Sequence, residues 1–448
     1  MNKPLLRLGV LGVLATAACS DAAAPNGTVE SVVVAPSNGS LLVGDTTRLV
    51  AAALDADGKP LLNQAIEWAS SDPSVATVSD AGLITAIAAG SVAIYAASGT
   101  HADSAVVDVV QPLIAAQLVT GYGFTCSLDS QGTAYCWGTN SEGQLGANLV
   151  SGYVRRATPV AGGLHWSLLA AGFHHACGLT TAGAAYCWGD NLQGEVGDST
   201  TSNYRIAPTA VLGPAVTALA LGYYNSCGVT VTGVRCWGSN FVSGYTGSPS
   251  LRTLSGGYSH LCGLVSGGQA FCWGSNYHGA VGDSSQTDQA LPVPVAGGRL
   301  FTALSSNDSS NCGLVAGGAA YCWGYNFFGQ VGDGSLTDQP VPVAVTGGRL
   351  FSAISTGGAH ACGITTQGLA YCWGNNRNGE LGDGSGVDSA VPVAVAGGLR
   401  FSRISAGGDH TCGITVSGRV YCWGSNNAGQ LGDGTAFGRL TPVPAIAP

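Results

Sequence analysis

From Val29 onward the chain alternates apolar and polar positions in short runs, the period-two pattern of half-buried strands. The runs are Val32-Val33-Val34, Thr47 to Ala53, Ile66 to Ala69, Val75 to Val78, Leu83-Ile84, Val92 to Ala96 and Ala105 to Val109. Turn signals such as Asp57-Gly58-Lys59-Pro60 and Asp80-Ala81-Gly82 separate them, which predicts a small β-sandwich over residues 28–110. Beyond Pro112 a longer period takes over. Cys-Trp-Gly recurs at Cys136, Cys187, Cys236, Cys272, Cys322, Cys372 and Cys422, in steps of 51, 49, 36, 50, 50 and 50 residues. A unit holds an apolar run such as Phe351 to Ile354, then His360-Ala361-Cys362-Gly363-Ile364, a Gly turn, Ala370-Tyr371-Cys372-Trp373-Gly374, a loop from Asn376 to Asp383, and a Pro-Val-Pro-Val strand. Four short strands per unit, set radially, make a propeller blade. The fold class is all-β: a seven-bladed β-propeller over 113–448, preceded by the sandwich.

Two families are recognisable on these residues. Trp68, then Ser70-Ser71-Asp72-Pro73-Ser74-Val75-Ala76-Thr77-Val78 and Gly82-Leu83-Ile84-Thr85-Ala86, resembles the bacterial immunoglobulin-like group 2 domain, with Trp68 as its core anchor. Trp373 to Gly384 and Trp423 to Gly434, each preceded by Gly-x-x-His, resemble the regulator of chromosome condensation repeat. That resemblance implies a seven-bladed propeller and, in function, guanine-nucleotide exchange on a small GTPase.

Strand counting gives an expectation for ring closure. Ala116 to Val119 has no Pro-Val-Pro-Val strand before it, whereas Thr441-Pro442-Val443-Pro444 has no unit after it. The tail is therefore expected to complete the blade containing Cys126, removing an exposed sheet edge. Between Trp237 and Cys262 the loop and outer strand are largely missing, so that blade should be short.

Fifteen cysteines divide into Cys19 and seven pairs: Cys126-Cys136, Cys177-Cys187, Cys227-Cys236, Cys262-Cys272, Cys312-Cys322, Cys362-Cys372 and Cys412-Cys422. A hairpin turned at the Gly near each midpoint sets the pair opposite each other on neighbouring strands, within reach of a disulfide. Zinc is the rival reading. His175, His260, His360 and His410 stand two residues before the first cysteine, on the same strand face. Phe124, Asn225 and Ser310 hold that position in the other units while every cysteine pair persists, so the histidines are expected to be structural and to bond backbone.

The N-terminus adds a location. Lys3 and Arg7 precede the apolar stretch Leu8 to Thr16, which is too short to span a bilayer. Ala17-Ala18-Cys19 resembles the bacterial lipobox, although Thr16 stands where Leu is usual. The expectation is a signal peptide over 1–18, lipidation of Cys19 and a tether over 19–27. Cleavage near Ala17 or Ala18 with Cys19 unmodified is the alternative. Ser20 after the cysteine points to the outer membrane, and the location expected is the cell envelope of a bacterium.

Composition narrows the function. Seventy Gly, 9 % charged residues and one Met exclude amphipathic helices. Losing Lys3 and Arg7 with the leader takes the net charge from −9 to −11, which disfavours nucleic acid and leaves the lipid as the membrane contact. The Asp-rich loops at Asp283 to Asp288 and Asp333 to Asp338 read as turns, not as calcium ligands. The tryptophans recur one per blade, a packing signature, and no helix is available for a nucleophile elbow. No catalytic, cofactor or metal site is expected. The chain reads as a monomeric, non-enzymatic scaffold for a protein or glycan ligand. A hydrolase or lyase acting on extracellular polymers is the alternative, and would need converging carboxylates or a Ser-His pair at one channel end. The candidate interaction surface is Tyr153, Arg155, Arg156, Tyr204, Arg205 and Tyr245, on the loops that diverge most from the repeat.

Overall fold

The computed structural model describes residues 27–201, 203–239 and 244–448. The leader, Cys19 and the tether up to residue 26 lie outside them. The described residues form strands and turns in two compact units that divide between Pro112 and Leu113.

In the first unit Ser31–Ala35 pairs with Val50–Leu54. A four-stranded sheet runs Asn38–Leu42, His101–Val110, Gly90–Ser98, Glu67–Ser70, and a three-stranded one Thr46–Arg48, Leu83–Ala86, Ala76–Val78. The Thr47 to Ala53 run is split at buried Leu49, which lets one apolar segment serve two sheets. Ile84, Ile94, Ala96 and Ala105 fill the centre. Trp68 is only half-buried and lies at the core's edge, its indole against Gly82, so it is not the central anchor the sequence suggests.

The second unit is seven sheets of four antiparallel strands, each sheet made from one continuous segment. Blade 6 shows the pattern, from inner to outer strand: Phe351–Thr356, His360–Thr365, Ala370–Gly374 and Ser389–Ala394. Its inner-to-second turn and third-to-outer loop lie on one face of the ring, the upper face here. The second-to-third hairpin turn lies on the lower face. Cys362 sits directly opposite Cys372 in the register, and the equivalent residues are disulfide-bonded in all seven blades. Closing a loop of about 11 residues removes on the order of 2.7 kcal/mol of unfolded-state entropy per bridge in the chain-entropy model.

The motif glycines and tryptophans lock each blade internally and join it to the next. Gly374 sits at a bulge with φ +106°, and a Cβ there would come within 2.5 Å of the Ala359 carbonyl. Trp423 lies on Gly382 of the preceding blade, and its Nε1 donates to the Glu380 carbonyl at 2.8 Å. Six of the seven repeat tryptophans make this contact: Trp237 lies on Gly197 in the same way although it is half-buried, and Trp273, fully buried, meets Tyr245 of the shortened blade in place of a glycine.

The tail does not complete the first blade. Arg439–Pro444 pairs with Val420–Gly424 in its own seventh blade, and Tyr153–Pro159 is the outer strand of the first. Every unit is complete, so the strand deficits inferred from sequence do not exist: Tyr153–Pro159 simply lacks the Pro-Val-Pro-Val spelling. The ring closes by contacts found at other joints together with a backbone tie between its two ends, in which Leu113 N donates to the Ala445 carbonyl and Val420 N to the Leu113 carbonyl, both at 3.0 Å. Ile114 bridges Arg419 as Leu350 bridges Ala319, and Trp137 Nε1 donates to the Gln430 carbonyl at 2.9 Å. Blade 3 is short, with an inner strand of Leu219–Leu221 and an outer strand of Tyr245–Thr246.

The buried histidines correct another expectation. They bond the next blade's side chains, not backbone. His175 Nε2 pairs with Ser226 Oγ (2.8 Å), His260 with Asn311 Oδ1 (2.8 Å), His360 with Thr411 Oγ1 (2.7 Å) and His410 with Thr125 Oγ1 (2.8 Å). Where the histidine is replaced by Phe124, Asn225 or Ser310, the next blade carries Ala176, Leu261 or Ala361 in place of the polar partner.

Candidate functional site

The inner strands enclose a central channel of about 220 Å³. Its wall has two characters. On blades 4 to 7 hydroxyls line it and join neighbours: Ser255 Oγ accepts from Ser306 N (2.7 Å), Ser305 from Thr356 N (2.9 Å), Ser355 from Ala406 N (3.0 Å) and Ser405 from Thr120 N (3.2 Å). On blades 1 to 3 the equivalent positions are Val119, Ala170 and Ala220, and the wall is apolar.

The inner-to-second turns form the upper mouth of this channel. One position, four residues before the first cysteine of each pair, holds Tyr122, Phe173, Tyr223, Tyr258, Asp308, Gly358 and Gly408 in blade order. Backbone hydrogen bonds tie adjacent turns: Phe173 N to Gly222 O, Tyr223 N to Tyr258 O, Tyr258 N to Asp308 O, Gly358 N to Gly407 O and Gly408 N to Gly121 O. The mouth is thereby held in place before any ligand arrives. Its four rings touch in sequence, with centroids 5.4 Å apart for Tyr122–Phe173, 4.9 Å for Phe173–Tyr223 and 4.4 Å for Tyr223–Tyr258. Tyr122 and Tyr258 remain 46 % and 39 % exposed. Farther out on the same face, Tyr277 (76 %) and Phe327 (62 %) stand on the third-to-outer loops.

Carboxylates bracket the aromatic arc. Asp308 follows Tyr258 on blade 5, and Asp409 adjoins Gly408, against which the Tyr122 ring packs on the other side. Burial raises both carboxyls above their ordinary value, with His278 opposing the shift at Asp308. Asp409, then burial and Asp308, raise the Tyr122 phenol. A hydrogen bond with Tyr224 pushes the Tyr223 phenol up to about 12. On the rim, Glu142 lies 3.2 Å from His174 and raises its imidazole. All Asp and Glu residues of this unit except Asp129 stand in upper-face turns and loops, where Arg205, Arg377 and Arg439 are paired with Asp198, Asp388 and Asp433, while Arg299, Arg349, Arg400 and Arg419 sit at the lower face. The mouth is therefore acidic as well as aromatic.

The six residues singled out from sequence are not brought together. They occupy three successive blades. Tyr245 is buried at 9 % exposure, edge-on to Trp273 with centroids 5.6 Å apart. Arg205 is paired with Asp198 at 2.6 Å. Arg155 packs over Gly429 of blade 7 and lies 5.2 Å from the Tyr153 ring, while Arg156 reaches Gly434 and stays exposed. Tyr153 and Tyr204 alone keep exposed rings. The divergent loops of blades 1 and 2 keep the repeat's central Asn, as Asn140 and Asn191, and their large side chains pack around it or over the neighbouring blade. The regular loop is visible in blade 4, where Asn276 Nδ2 donates to Asp283, Ser285 and the Thr287 carbonyl, the turn role expected of the Asp-rich segments. A Ser-His pair does exist at His175 and Ser226, but it is buried, and Ser226 spends its proton on the Glu195 carbonyl at 2.9 Å.

Comparison with known proteins agrees with this architecture. Residues 28–109 match the bacterial Ig-like domain (group 2). Residues 115–144, 166–195, 252–280, 351–380 and 401–430 match the regulator of chromosome condensation (RCC1) repeat, as do 317–364, 367–414 and 417–447 in a second description of it. The chain is 26 % identical to the ultraviolet-B receptor UVR8 of Arabidopsis thaliana over 200 residues, 40 % of this chain and 45 % of the receptor. It is 29 % identical to the secretion-regulating guanine nucleotide exchange factor of Bos taurus over 166 residues, 36 % of this chain and 30 % of that protein. It thus spans less than half of these curated relatives. Among solved structures, Prp20p from Saccharomyces cerevisiae superposes with a TM-score of 0.62 at 19 % identity, covering 74 % of this chain and 87 % of that one. Seven four-stranded blades, the Trp-on-Gly contacts and these matches identify the propeller as one built of regulator of chromosome condensation repeats, with a group 2 bacterial immunoglobulin-like domain ahead of it in the chain.

Proposed function

We propose that the chain is an exported, lipid-anchored and monomeric display scaffold that binds a protein or glycan ligand at the upper mouth of its propeller and performs no chemistry. The observation that carries this is the mouth itself: a preformed arc of four aromatic rings, partly exposed, over a narrow channel. Rigid aromatic rings are the side chains that binding surfaces use most. Seven disulfides suit an oxidising compartment, in keeping with the leader and with Cys19 as the lipid attachment point. The immunoglobulin-like domain stands between anchor and propeller in the chain and serves as a spacer.

Guanine-nucleotide exchange is the rival by kinship. The bovine relative is named for that activity, and Prp20p was studied for its binding to Gsp1p and histones. A small GTPase would have to meet this chain outside the cytosol, which weighs against the rival. A polymer hydrolase or lyase is the weaker rival: the Ser-His pair of His175 and Ser226 is buried between blades 2 and 3, and the mouth carboxylates Asp308 and Asp409 stand on blades 5 and 7 with Gly358 of blade 6 between them.

The test joins location and site. Metabolic labelling with a radiolabelled fatty acid should mark the wild-type chain and not Cys19→Ala. Capture from envelope and extracellular extracts should lose its partner with Tyr122→Ala plus Tyr258→Ala. Partners retained in full by that double variant, or a cytosolic chain with free thiols, would refute the proposal.

A further inference from the structure

The chemistry of the mouth specifies its ligand more closely, on the reading that the mouth is the binding site. Around the opening run Asp409, Tyr122, Phe173, Tyr223, Tyr258 and Asp308, in that order. None of the seven turns that form it contains Lys or Arg. Asp409 is raised by burial alone, and the imidazole that opposes burial at Asp308, His278, is already bonded to Asp338 at 2.7 Å. Two half-sheltered carboxylates thus lack a strong cation of their own, and four π-faces or edges lie between them. Such a set attracts a positive charge twice, through the ring quadrupoles and through the carboxylates. It repels phosphate and uronate groups.

Size narrows the choice further. The channel of about 220 Å³ is below the roughly 300 Å³ at which small-molecule pockets begin. A long, unbranched side chain fits such a space; a run of sugar rings does not. The apolar wall of blades 1 to 3 suits a methylene stem, and the hydroxyl wall of blades 4 to 7 suits polar hydrogens.

We infer that the upper mouth binds a basic peptide segment of a protein partner, with one Lys or Arg side chain entering between the aromatic arc and the carboxylates Asp308 and Asp409.

The experiment uses the oxidised full chain and calorimetric titration with four probes: a Gly-Ser peptide carrying spaced lysines, the same peptide with glutamates, a neutral glucose hexasaccharide and a glucosamine hexasaccharide. The lysine peptide should bind, and the glutamate peptide should not. Added salt should weaken binding. Affinity should fall on the order of tenfold or more in Tyr122→Ala and in Asp308→Asn plus Asp409→Asn, a loss of about 1.4 kcal/mol or more. The Asp→Asn pair keeps the shape of the mouth, and thermal melts of every variant exclude misfolding as the cause. Binding of the neutral hexasaccharide alone, lost in Tyr122→Ala, overturns the cationic ligand and leaves the mouth as the site. Tighter binding of the glucosamine oligomer than of the peptide overturns the peptide assignment in favour of an amino sugar. Lysine-peptide binding unchanged in both variants overturns the mouth itself.

Discussion

His410 and Thr125 are hydrogen-bonded at 2.8 Å across the joint where the last blade meets the first, although 285 residues separate them in sequence. Thr125 Oγ1 donates its one proton to the Gln430 carbonyl at 2.9 Å, so it must accept from His410. The imidazole is therefore the neutral Nε2–H tautomer. The same accounting holds where Thr411 donates to the Glu380 carbonyl while meeting His360, and where Ser226 donates to Glu195 while meeting His175. Each histidine secures the following blade, and at the seam this bond joins a backbone tie between the two ends of the propeller, Leu113 N to the Ala445 carbonyl at 3.0 Å.

Because the pairs are matched, one half removed should cost more than both replaced. Thr411→Ala leaves the His360 Nε2–H buried without a partner and should destabilise by about 1–3 kcal/mol. The double variant His360→Phe plus Thr411→Ala copies the apolar pairing of Phe124 with Ala176 already present in this ring. It should melt above Thr411→Ala at neutral pH. A double variant less stable than the single one would show that the pairing is incidental.

Acid should loosen the ring through the same histidines. Burial holds His175, His360 and His410 down at about 3, and lowers His260 as well. An unfolded imidazole takes its proton near 6.5. Between those values the unfolded chain binds more protons, so stability present above about pH 6.5 is lost progressively as pH falls. Each of the three held at about 3 contributes roughly 2 kcal/mol of loss by pH 5. Urea midpoints at pH 7 and pH 5 should differ less for His360→Phe plus Thr411→Ala than for the wild type; equal differences would assign the acid response elsewhere.

The residues show why some of this was legible and some was not. Cysteine spacing fixes the hairpin partners because ten residues with a central Gly leave little freedom, and Cys-Trp-Gly marks the blade period directly. Ring closure was misjudged because the first outer strand, Tyr153–Pro159, shares pairing but not spelling with Gln339–Ala344. Loop residues such as Tyr245 read as surface in the sequence because divergence looks alike whether a side chain meets a partner or its own core. The mouth has a signal in the sequence, an aromatic four residues before the first cysteine in four consecutive units. Only once the turns are seen to converge on one channel does that column become a site.

Glu195 carries a second pH effect of opposite sign. It replaces the Gln found at 144, 330 and 430; it is fully buried, and its Oε1 has no hydrogen-bond partner. Burial pushes its carboxyl up to about 7. Stability is therefore fully present below about pH 4.5 and declines as pH rises through 7. Glu195→Gln restores the repeat residue without the charge and should stabilise by on the order of 1–3 kcal/mol at pH 8 and little at pH 5. An equal gain at both pH values would sever the effect from ionisation.

The Trp-on-Gly contact can be isolated by two glycines that differ in one respect. Gly382 and Gly398 share a left-handed backbone, with φ of +66° and +61°, so an alanine at either position meets the same conformational penalty of about 1–2 kcal/mol. At Gly398 nothing lies within 4 Å of the added carbon, whereas at Gly382 it would stand 2.7 Å from Trp423 Nε1. The indole cannot retreat, because its Nε1 is bonded to the Glu380 carbonyl and the ring is fully buried. Gly382→Ala should therefore destabilise by about 1–3 kcal/mol more than Gly398→Ala, as overpacked cores do. It should also shift Trp423 fluorescence, measured in a variant with the other tryptophans replaced by Phe. Identical melting points for the two alanine variants would mean that the blades are not held apart by this fit, and that the glycine of the repeat answers to its backbone conformation alone.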